Sequence, residues 1–109
     1  MKELSAKDRF NARNNGHSFD AILEKEVTFE GVMFYDDDVT NKETGEIERK
    51  TISAVKINGE MYCSPSDTLR RALTDLVEYA NEEKVDTVQI MIVNGSSSKG
   101  RKFLTLNLM

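Results

Sequence analysis

Three groups of residues in this 109-residue chain have the types and spacing for chemistry. Asp36, Asp37 and Asp38 stand in a row and could hold a divalent cation for a nuclease or other hydrolase. A calcium loop counted from Asp36 needs glycine at its sixth position and a bidentate glutamate at its twelfth. Those positions hold Asn41 and Ile47, and no histidine or lysine adjoins the triplet to serve as a general base. The second group, His17 and Cys63, holds the single histidine and the single cysteine, too few for a transition-metal site or an intrachain disulfide. These two groups read as a non-enzyme with no metal and no cofactor, and the triplet as a solvated loop.

The third group points elsewhere. Asn94-Gly95-Ser96-Ser97-Ser98-Lys99-Gly100 permits tight turning and exposes many donors, and Arg101, Lys102 and Phe103 follow it with no acidic residue from Asn94 to the end. Cations that neutralise phosphates, next to a ring on which a base can stack for about 1–3 kcal/mol, are what an unpaired polynucleotide requires. The net charge of −4 does not exclude such a partner. Positive charge gathers in residues 1–19, 49–71 and 95–109, and a bound phosphate senses charge within about 8 Å. An acidic protein can carry a basic groove.

These residues need elements to position them. Residues 88–93 are apolar and β-branched, and residues 101–108 alternate, with Leu104, Leu106 and Leu108 on one side and Phe103, Thr105 and Asn107 on the other. The two form a hairpin with a leucine face for the core. Residues 21–35 read as a long strand bent at Gly31, with Val27, Phe29, Gly31, Met33 and Tyr35 on one face. Residues 47–57 form the second strand, carrying Arg49, Lys50 and Lys56, and Asn58-Gly59 suits a type I′ turn into a third over residues 60–63. Ser64 caps a helix, with Pro65 in its first turn and Asp67 completing a capping box. Its buried face is Leu69, Ala72, Leu73, Leu76, Val77 and Ala80.

Residues 1–18 read as a mobile polar arm, because Asn11, Asn14, Asn15 and Gly16 interrupt any helix begun before them. The arm carries Arg9, Arg13 and the isolated ring of Phe10, and is suited to ordering on nucleic acid or on a neighbouring subunit. Residues 19–109 then make one domain. Its order, three strands, a helix and two strands, is shared by several small α+β folds and is that of the OB-fold, a mainly β, five-stranded Greek-key barrel that binds oligonucleotides around its second and third strands. No apolar run approaches the roughly 20 residues of a membrane span. The absence of a signal-peptide core and of paired cysteines points to a reducing, cytoplasmic setting, the host cytoplasm if the protein is viral.

The segment Gly59-Glu60-Met61-Tyr62, then Ser66, the helix with Asp75-Leu76, and Val88 through Leu108 with the loop Gly95-Ser96-Ser97-Ser98-Lys99-Gly100, resemble a known family. It is that of the single-stranded DNA-binding proteins of small protein-primed Bacillus phages and related mobile elements. The resemblance covers about the C-terminal half. It implies an OB-fold that coats and protects displaced single strands during replication, without sequence preference.

The candidate contacts are Tyr35, Tyr62 and Phe103 for stacking, Lys50, Lys56, Lys99, Arg101 and Lys102 for phosphate, and Arg9 and Arg13 from the arm. Phe19, Phe29 and Phe34 are assigned to the core. The expected partner is single-stranded DNA, with RNA open to the same chemistry, and copies would associate along the strand through the arm. The alternative is a phage-type interaction protein that inhibits a host factor by presenting its acidic surface as a DNA mimic.

Overall fold

The computed structural model describes residues 3–96, 100 and 102–109, and the side chain of Lys102 lies outside it. Strands β1 (Glu26–Thr40), β2 (Ile47–Ile57) and β3 (Glu60–Ser64) form an antiparallel meander. Helix α2 (Asp67–Glu82) carries the chain back, so that β4 (Val88–Ser96) pairs with the free side of β1, and β5 (Lys102–Leu108) pairs with β4. The sheet order is β3-β2-β1-β4-β5. Three hairpin-linked strands with the fourth returned beside the first make a Greek key, here an open, OB-like five-stranded sheet with its helix between β3 and β4.

The core lies on one face of the sheet, the inner face. Phe29, Val55, Ile57, Ile90 and Ile92 are fully buried there against Leu69, Leu73 and Ala80 of α2, with Phe19 beside them and Leu104 and Leu106 of β5 packed on the cluster. Leu104 and Leu106 of β5 and the helical repeat of α2 therefore do what their spacing predicts, while Leu108 at the end of the strand is 48% exposed. Asn58 and Gly59, with φ of 50° and 82°, make the tight turn, and the Asn58 side chain accepts a hydrogen bond from Thr28 N–H.

Four expectations change. The face of β1 switches within the strand: the register shifts between Phe29 and Gly31, which leaves Glu30 as an extra residue. Val27, Phe29 and Val32 consequently face the core, and Met33 and Tyr35 face the opposite, outer side. Residues 21–25 are not strand, because one turn of 3-10 helix, Phe19–Ile22, precedes a residue at positive φ, Glu24. The cap of α2 is Ser66, whose hydroxyl accepts from Leu69 N–H at 3.2 Å, while Ser64 accepts from Ser66 N–H.

The fourth change concerns the N-terminal segment, which forms a helix, α1 (Ala6–Asn14). Ser5 and Asp8 close a reciprocal capping box. The asparagines do not break the helix, since Asn14 donates to Phe10 C=O and Asn15 N–H donates to Asn11 C=O. Leu4 and Ala12 pack on Ala54 and Met61, so α1 covers part of the outer face of β2 and β3. Beyond α1 the chain runs along the edge of β3, where His17 N–H donates to Met61 C=O and Cys63 N–H donates to His17 C=O. Gly16 makes that passage possible, because a Cβ there would stand 2.6 Å from Cys63 Sγ.

Candidate nucleic-acid interface

Beyond Phe29 β1 leaves β4, and β2 pairs with β3 only from Ser53 onward, so residues 35–40 and 47–52 form a two-stranded ribbon beyond the wider sheet. Asp36, Asp37 and Asp38 lie in this ribbon and not in a loop. Thr51 Oγ1 donates to Asp36 at 2.8 Å, Arg49 meets Asp38 at 3.4 Å, and Lys50 stands opposite Asp37. Each carboxylate faces a cation or donor one strand away, which is why an acidic run can occupy a strand. Among the described residues no group of three potential ligands could hold a metal ion. Lys50 also meets Glu48 at 3.8 Å, and over residues 35–52 three cations offset half of the six carboxylates.

The outer face gathers several candidates. Tyr35 and Lys50 alternate onto it, paired with Ile52 and Asp37, and the guanidinium of Arg13 on α1 lies over the Tyr35 ring, 5.3 Å from its centroid. Burial pushes the Tyr35 hydroxyl above its ordinary range, helped by the adjoining Cys63 thiol and by Asp37. Burial likewise raises the Cys63 thiol, which donates to Ala12 C=O. At the far end of the sheet Phe103 shares this face, half-buried over Gly95 of β4.

Other candidates are committed to the fold. Lys56 sits under α1, its ammonium 3.1 Å from Asp8, and the side chain is 28% exposed. Burial draws the Asp8 carboxyl upward, but hydrogen bonds from Lys56 and Ser5 outweigh it and hold it below the usual carboxylate range. Arg9 donates to Leu4 C=O at 2.7 Å. Tyr62 points to the inner face at 7% exposure, its ring edge-on to Phe19 and its hydroxyl on Glu60. That leaves it little open ring for a base. Lys99 and Arg101, and the side chain of Lys102, lie outside the described residues.

Three exposed rings, Phe34, Phe10 and Tyr79 of α2, stand outside the expected set. Phe34, assigned to the core, is 41% exposed because β1 has left β4 by that point and its inward-facing position lies past most of the core. Phe10 is 62% exposed. Its signal was in the sequence, as an aromatic side chain in a polar segment.

The family model described as Phage Single-stranded DNA-binding protein matches residues 4–109. The chain belongs to that family. It is 31% identical over 65 residues to the single-stranded DNA-binding proteins of Bacillus phages PZA and phi29, covering 59% of this chain and 52% of each of theirs. To the protein of the same name from Bacillus phage B103 it is 27% identical over 66 residues, 60% of this chain and 54% of that one. The chain therefore spans about half the length of the curated relatives it matches. No solved structure gives a significant match. Among the described residues, the outer face of β1 and β2 with α1 at its side brings a ring and a cation together.

Proposed function

We propose that this chain binds single-stranded DNA without sequence preference and coats strands displaced during phage or mobile-element replication, as a non-catalytic protein. The observation that carries this is the Arg13–Tyr35 pair next to Lys50 on the outer face of the OB-like sheet, the side on which such sheets hold oligonucleotides. A guanidinium and a phenol ring in one stack offer a base a polarised π surface, with phosphate-neutralising charge at its edge. Phe103 extends the same face towards the β4–β5 turn, whose Lys99, Arg101 and Lys102 would follow the backbone.

The names of the relatives support this reading, as does the absence of base-specific apparatus in the proposed contacts: rings and point charges grip any sequence. Arg13 enters from the N-terminal segment, which also joins neighbouring copies on the strand. The cytoplasm of an infected cell is the setting this role requires. RNA offers the same phosphates and bases, so preference must be measured.

The test is a titration of fluorescent oligo-dT, oligo-U and duplex DNA at rising salt. Tight, salt-weakened binding of oligo-dT with weak binding of duplex is expected. Indifference to oligo-dT at low ionic strength would falsify the proposal.

A further inference from the structure

Phe10 is the most exposed aromatic side chain among the described residues. At 100° per residue it lies about half a turn round α1 from Asp8 and Ala12, which face the sheet, and Lys7 and Arg13 flank it at three residues to either side. The Arg13 guanidinium turns to Tyr35, so the cation beside the water-exposed ring is Lys7, and ring and cation together are placed for contact.

A groove of about 230 Å³ lies elsewhere on the molecule, between α2 and β5. Ala72, Leu76 and Leu106 line it, and Tyr79 and Leu108, 40% and 48% exposed, stand open at its walls. Asp75 lines it too, and Glu78 and Glu82 follow on the same side of α2, outweighing Arg71 one turn earlier. The groove is apolar inside and acidic at its rim, the complement of Phe10 beside Lys7. Because α1 packs on the outer face of the sheet and α2 on the inner, Phe10 does not reach the groove of its own chain.

We propose that Phe10 of one copy seats in the Leu106–Leu108–Tyr79 groove of a second copy. Ring and groove are different surfaces, so the contact is head-to-tail: the row always keeps one free ring at one end and one free groove at the other, and it grows by adding copies there. This rests on the single-stranded DNA reading above for its purpose, since a row of copies is the form a coating protein needs. It does not rest on that reading for its existence.

The experiment is sedimentation velocity of the full chain, alone and on an oligo-dT long enough for several copies, with Phe10→Asp, Leu108→Asp and their equimolar mixture. Wild type is expected to give concentration-dependent species beyond one copy, and each variant alone to lose them. The mixture is expected to stop at two copies, because the ring of the Leu108→Asp copy still fits the groove of the Phe10→Asp copy. A disulfide between a Phe10→Cys copy and a Tyr79→Cys copy, both carrying Cys63→Ser, is expected to support the same contact.

Persistence of assemblies in either variant alone, a mixture that stays at one copy, or a wild type that stays at one copy with and without DNA overturns the proposal. So does a Phe10→Asp variant that loses affinity for an oligo-dT too short for two copies, since Phe10 would then be a DNA contact. Failure of wild type to bind that short oligonucleotide sinks the DNA reading instead, and assembly without DNA still decides the contact.

Discussion

Gly95 of β4 lies directly across from Phe103 of β5, and the Phe103 ring covers it so closely that a methyl group at Gly95 would stand 2.3 Å from a ring carbon. Only a residue without a side chain lets the ring lie flat there. Gly95→Ala is expected to turn the ring off the sheet at a cost of about 1–3 kcal/mol, as overpacking does. A thermal melt reads the loss of stability. A parallel loss of oligo-dT affinity, larger than a Thr105→Ala control gives, would place the ring in the DNA path.

Tyr35 and Tyr62 are expected to part company. Tyr35 is half-buried under Arg13, and its replacement by alanine should weaken oligo-dT binding by about 1–3 kcal/mol, one stacked base, with a small effect on the melt. Tyr62 is 7% exposed in the core cluster. Tyr62→Phe should leave oligo-dT binding at the wild-type value and alter only the Glu60 contact, while Tyr62→Ala should cost about 3–5 kcal/mol of stability by analogy with other buried aromatics. Equal binding losses for Tyr35→Ala and Tyr62→Phe would remove Tyr35 from the site.

The difference between those two tyrosines marks where sequence stops being informative. Leu104 and Leu106, the repeat from Leu69 to Ala80, and Asn58-Gly59 were legible because each is a local pattern whose period or dihedral preference leaves one arrangement. Which way Tyr35 faces was not, because the extra residue at Glu30 shifts the register after Phe29, and a bulge depends on the partner strand rather than on β1 itself. The aspartates were misplaced for the same reason, since Arg49 and Thr51 justify them only once paired. Helix α1 was legible and missed: Ser5 and Asp8 spell a capping box, outweighed by asparagines that fold back onto their own helix.

Asp8 makes the attachment of α1 dependent on pH. Its folded-state carboxyl titrates below the ordinary value of about 3.9, so its contribution is complete above that value and is lost as the pH falls from there through the folded value. Amide protection in α1, corrected for intrinsic exchange, should therefore hold through neutral and mildly acidic pH and then drop before β1 and β2 open. Asp8→Asn should abolish the step by removing both the charge facing Lys56 and its titration. Ser5→Ala should lower α1 protection at every pH by about 1 kcal/mol, the usual worth of an N-cap. A step that survives in Asp8→Asn assigns it to another group.

Charge reversal separates backbone contacts from bystander lysines. Lys99, Arg101 and Lys102 follow one another near the β4–β5 turn, whereas Lys42 lies at the tip of the β1–β2 ribbon and Lys84 just after α2. If the three turn cations neutralise phosphates, replacing them with glutamate removes three counterion-releasing contacts, and the slope of log affinity against log salt should flatten by about 2, at roughly 0.7 per contact on a single strand. Affinity at low salt should fall steeply. Reversing Lys42 and Lys84 changes the net charge by 4 but touches no proposed contact, so it should lower the association rate and leave the slope nearly unchanged. Equal slopes for the two sets of variants would mean that DNA responds to the total charge of the protein, and the turn would lose its place in the interface.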